Sequence, residues 1–72
     1  MKEYMVIARI VDGENQSFIV EGESFDAAAE KGARLVLDQE QGDRDAEIFV
    51  DVVVDRNFEH KSNFHFEASG LR

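Results

Sequence analysis

Apolar positions recur along this chain with two different periods. From Phe25 the steps i, i+3, i+4, i+7, i+8 and i+11 fall on Phe25, Ala28, Ala29, Gly32, Ala33 and Val36. All are apolar or small, which is the stripe of an amphipathic helix. Ser24 stands where an N-cap hydroxyl can accept a first-turn amide, and Asp26 suits the positive end of the dipole. Gly42 is a stop signal. The spacing therefore predicts a helix over Ser24–Gln41, with Leu35 at the edge of the stripe and Leu37 outside it. The small residues at its centre let another backbone come close.

Elsewhere the period is two. Glu3–Val11 alternates Tyr4, Val6, Ala8 and Ile10 with Met5, Ile7, Arg9 and Val11. Both sets are largely apolar, as in a central strand. The run DGENQ that follows is a hairpin signal, and Ser17–Glu21 is the returning strand with Phe18 and Val20 on one face. Asp45–Arg56 carries an unbroken apolar set, Ala46, Ile48, Val50, Val52 and Val54, against a mixed one. Asn57 marks a turn, Phe58–Ala68 reads as a fourth strand, and Ser69–Arg72 as a frayed tail.

The element order is ββαββ, an α+β class. With the two most apolar strands in the middle, the expected sheet is antiparallel in the order 2-1-3-4, with the helix on one face. The expected covered set is Tyr4, Val6, Ala8, Ile10, Phe18, Val20, Ile48, Val50, Val52, Val54, Phe64 and Phe66. That leaves Met5, Ile7, Val11, Ile19, Phe49 and Val53 on the other face, with Arg9 and either Asp51 or Asp55 as its polar rim. One helix cannot cover both faces. An uncovered apolar face of this kind marks an interface, and a homodimer through stacked sheets is the leading expectation.

Composition narrows the partners. The 72 residues make a single domain, 1–72, with no cysteine, so disulfides and thiolate metal sites are excluded. A domain this small has a modest core. The net charge is −8, from 16 acidic and 8 basic residues. Direct contact with nucleic acid or an anionic membrane needs the opposite sign, so the charge points to a basic protein surface as the alternative partner. No apolar run approaches a membrane span, and MKEYMVIAR lacks the apolar core of a signal peptide. A cytoplasmic location is the expectation.

Few residues suggest chemistry. His60 and His65 are separated by an odd step, so a regular strand would point them to opposite faces. Glu47, Asp51 and Asp55 share a face at steps of about 13 Å, too far apart for one ion. Asp38, Glu40, Asp43, Asp45 and Glu47 gather where the helix ends and the next strand begins. A helix C-terminus prefers cations, so this acidic cluster is a candidate patch for a basic protein. Its spacing does not fit a calcium loop. No nucleophile has a His-acid arrangement, so no catalytic residue, metal or cofactor is expected, and the chain reads as non-enzymatic.

The run FIVEGESFDAAAEKGARL, Phe18–Leu35, resembles a pattern found in small acidic phage-encoded proteins, where a strand leads into a capped, alanine-rich helix. It is similar to short inhibitors of host machinery, among them RNA polymerase inhibitors and ββαββ anti-CRISPR proteins. That resemblance implies a protein-binding inhibitor acting in the host cytoplasm. It carries no individual site residue.

Overall fold

The computed structural model describes residues 2–40 and 46–71, with the side chain of Glu40 outside that set. The chain runs β1 (Lys2–Ile10), β2 (Gln16–Gly22), α1 (Phe25–Glu40), β3 (Glu47–Asp55), β4 (His60–Glu67) and a single helical turn α2 (Ala68–Leu71). The four strands form one sheet in the order β2-β1-β3-β4, antiparallel at every neighbouring pair. This is the expected ββαββ topology, with α1 against one face.

The helix begins as its sequence dictates. The Ser24 hydroxyl accepts a hydrogen bond from the Ala27 amide at 3.1 Å, and the Ser24 carbonyl accepts from Ala28 at 3.0 Å. Ala28, Ala29, Gly32, Ala33 and Val36 are all buried, and Phe25 packs edge-on to Tyr4 with ring centroids 5.3 Å apart. The stripe is rotated slightly from the expected one: Leu37 is buried and Leu35 is exposed. At 100° per residue Leu37 continues the Ala29–Ala33 row, whereas Leu35 falls on the far side of Gly32. The small stripe has a direct steric cause. A Cβ at Gly32 would lie 2.4 Å from Val6 Cγ1 and 3.0 Å from Val6 Cβ. Helix and sheet meet here at a distance only glycine permits.

The core is Tyr4, Val6, Ala8, Val20, Ile48, Val50 and Val53 from the sheet, the helix stripe, and Ala68 and Leu71 from α2. The expected frayed tail is thus partly structural. The Ala68 amide donates to the Ala46 carbonyl at 2.9 Å, and the turn that follows lays Leu71 over the end of the core.

The largest departure from the strand alternation is a β-bulge. Register between β1 and β3 shifts by one between Ile7 and Ala8, so that Ile7 faces Val52 and Ala8 faces Val50. Asp51 is the extra residue. The β3–β4 register keeps step across it, from Val50↔Phe64 to Val52↔Ser62, because β4 carries its own irregular residue, Asn63, at φ 66°. Beyond the bulge the two faces exchange their residues. Val53, expected on the uncovered face, is fully buried beneath the helix. Val52 and Val54, expected beneath the helix, lie on the uncovered face beside Ile7 and Met5. His60 changes sides too, and shares the uncovered face with His65.

Candidate protein-docking face

Three cross-strand rows build the uncovered face. Ile19, Met5, Val54 and His60 form the first; Ser17, Ile7, Val52 and Ser62 the second; Arg9, Phe49 and His65 the third. Five aliphatic or thioether side chains therefore adjoin one another, and Phe49 continues the surface. Met5 is 39% and Ile19 65% exposed. Among the described residues no element packs over them, since α1 and α2 lie on the opposite face. Val11, beyond the end of β1, is also exposed, and its amide donates to the Glu47 carbonyl at 2.8 Å.

The third row is half polar. The Arg9 guanidinium lies 4.9 Å from the Phe49 ring centroid, and its Nε is 4.0 Å from Asp51 Oδ2. Phe49 and His65 have ring centroids 5.0 Å apart, and His65 Nε2 is 3.3 Å from Glu47 Oε1. These pairs are solvated, each worth a fraction of a kcal/mol at most. What they do is hold Arg9, Phe49 and His65 side by side as a flat polar-aromatic strip.

Both ends of the face are acidic. Glu3 lies directly across from Glu21, and Glu47 across from Glu67. Like charges in register are mildly destabilising. No ion pair reaches Glu3, Glu21 or Glu67 among the described residues. With Asp51 the face carries five carboxylates, against the two guanidiniums of Arg9 and Arg56. Its two ends are about 25 Å apart, taking eight strand steps from Glu3 to the level of Glu47.

The acidic patch expected around the helix end is only partly described. Asp38 is exposed on α1 and Glu47 begins β3 beside His65. Asp43 and Asp45 lie outside the described residues, as does the Glu40 side chain. Among the described residues no group of three or more His, Asp or Glu could hold a metal ion, and no polar or charged side chain is buried. His60 and His65 share a face but sit at its two ends.

One surface residue escaped the sequence reading. Phe58, assigned there to the start of a strand, lies in the β3–β4 turn at 86% exposure and φ 64°. The turn is tightly made. Asp55 Oδ1 accepts from the Asn57 amide at 2.8 Å and the Glu59 amide at 2.9 Å. The Asp55 amide donates to the Glu59 carbonyl at 2.9 Å, and Phe58 donates to the Asp55 carbonyl at 3.1 Å. A left-handed residue costs about 1–2 kcal/mol unless it is glycine. Phe58 borders a slot with Met5, Ile19 and Val54, flanked by Glu3 and Arg56. The signal that could have found it is the run DRNFE, an Asx turn opened by Asp55.

Comparison with protein-family models, characterised proteins and solved structures finds no match to this chain. No described helix is long and apolar enough to cross a membrane.

Proposed function

We propose that this chain is a non-enzymatic protein-binding module that docks through its uncovered sheet face onto a basic surface of another protein. The observation that carries the reading is the arrangement of that face: an apolar centre of Met5, Ile7, Ile19, Val52 and Val54 between two cross-strand pairs of glutamates, of which only Glu47 meets an ion-pair partner, His65, among the described residues. The apolar centre supplies burial, and the acidic ends with the net charge of −8 supply steering and register. The same count weighs against a second copy of the chain as the occupant. Both ends carry acids, so stacking two copies face to face sets carboxylates against carboxylates in either orientation. Nucleic acid is disfavoured on the same ground. A surface of this kind competes with nucleic acid for the basic groups of a nucleic-acid-handling protein, which is the inhibitory form of the activity.

Light scattering should find a monomer over the range where an obligate dimer would persist. Affinity capture from bacterial lysate at graded salt should retain a basic protein at low ionic strength and release it as salt rises. Ile19→Asp leaves the core untouched and makes the face more acidic, so retention lost in that variant locates the contact in the apolar centre. A stable dimer, or retention indifferent to both salt and Ile19→Asp, would defeat the proposal.

A further inference from the structure

We infer that Phe58 is the anchor of the docking face, its ring entering an apolar pocket of the basic partner beside the slot formed by Met5, Ile19 and Val54. The inference rests on the protein-binding reading above and names the residue on which its affinity depends. Three observations converge on it. Phe58 is the most exposed large apolar side chain described, at 86%. Its backbone stands at φ 64°, where glycine is the undemanding residue. The four hydrogen bonds that Asp55 and Phe58 make within the turn hold the ring's base in one place. The fold therefore carries a large aromatic side chain where it gains little burial and bears a backbone cost. Strain of this kind persists where the surroundings over-determine it, and it gathers at binding sites. Aromatic side chains, Trp and Tyr above all, are enriched among interface hot spots, and a rigidly mounted one loses little freedom when it docks.

The chemistry of the occupant follows from the flanks. Glu3, Glu21 and Asp55 stand at this end of the face with Arg56 and Lys2. A pocket that accepts the ring and also satisfies Glu3 and Glu21 is apolar at its floor and carries Lys or Arg at its rim. A lipid surface would accept the ring but meet these acids unfavourably where the lipid is anionic. A second copy brings Arg56 and Lys2 to this end only together with its own Glu3, Glu21 and Asp55, so stacking two copies adds more carboxylates than cations there.

The test uses the full chain in two forms. In Phe58→Gly the left-handed position is filled by the residue that suits it, so Tm should rise by several degrees while affinity for the captured protein falls at least about 30-fold. Leu35→Ala, on the exposed side of α1, should change affinity by no more than about twofold. In the second form Phe58 is replaced by the photo-crosslinking analogue benzoylphenylalanine, with the same replacement at Leu35 as control. Irradiation in lysate should join position 58 to the captured protein at an apolar site bordered by Lys or Arg, and position 35 should give no such product. Crosslinking of position 58 to a second copy, to lipid, or to the same products as position 35 would overturn the inference. So would unchanged affinity in Phe58→Gly. If wild type captures its protein and Phe58→Gly captures it equally, the docking face stands and the anchor falls. If wild type captures nothing, both fall.

Discussion

Gly32→Ala tests the closest approach in the fold. On intrinsic propensity the substitution should help, by about 1 kcal/mol in a helix interior. The new methyl, however, would lie 2.4 Å from Val6 Cγ1, 3.0 Å from Cβ and 3.4 Å from Cγ2. Ordinary carbon contacts are about 3.5–4.0 Å. Rotating Val6 does not solve this, because Cβ itself is too near, and Val6 is fully buried in a central strand. Helix and strand must separate by about 1 Å, which loosens the packing of Ala28, Ala29 and Val36 as well. Overpacking of this sort costs about 1–3 kcal/mol. With the site so tightly enclosed the upper end applies, leaving a net loss of about 2 kcal/mol after the propensity gain. A domain of this size should then melt about 8–16 °C lower. Val6→Ala alone should cost about 2–3 kcal/mol by transfer and cavity terms. Because it removes the obstructing methyls, the double variant should be less destabilised than the sum, by at least about 1 kcal/mol. Urea unfolding of the four proteins gives the cycle. A Gly32→Ala variant as stable as wild type, or strict additivity, would refute the steric reading of the glycine.

Asp55→Ala removes the acceptor of two turn amides and should lower stability by about 1–2 kcal/mol in urea unfolding, while Asp55→Asn should recover part of the loss. At the left-handed position within β4, Asn63→Gly should be nearly neutral and Asn63→Val destabilising by about 1–2 kcal/mol, since only the former tolerates φ 66°; thermal melts of the pair check it. Leu37→Ala should cost about 2–4 kcal/mol and Leu35→Ala less than about 1 kcal/mol, the order that their burial dictates and the reverse of what the stripe alone suggests.

The topology was legible because its signals were local and redundant. Ser24 before an apolar stripe of period 3.6 marked the helix, and the two strands richest in apolar residues marked the sheet centre. The side of the sheet taken by the second half of β3 was not legible, and the reason is chemical. Val52, Val53 and Val54 form an unbroken run, so shifting them by one residue exchanges a valine for a valine and leaves no trace in the pattern. Asn63 was the available clue, an αL-tolerant residue in mid-strand. The existence of an uncovered apolar face survived the error, since it depends on the number of apolar side chains and not on which ones. Of the residues first placed on that face, Val53 moves to the core and Val52 and Val54 take its place. Phe58 was missed because an aromatic residue beside a strand reads as strand, and exposure in a turn is set by the hydrogen bonds of Asp55.

The docking of a basic protein on the uncovered face is tested most directly by methyl resonances of the chain titrated with its captured partner. Met5, Ile7, Ile19, Val52 and Val54 are expected to shift or broaden at low salt, while Val6, Val36, Ile48 and Val50 beneath the helix stay unchanged. Perturbations confined to the outer surface of α1, or the same face shifting with protein concentration when no partner is present, would contradict it.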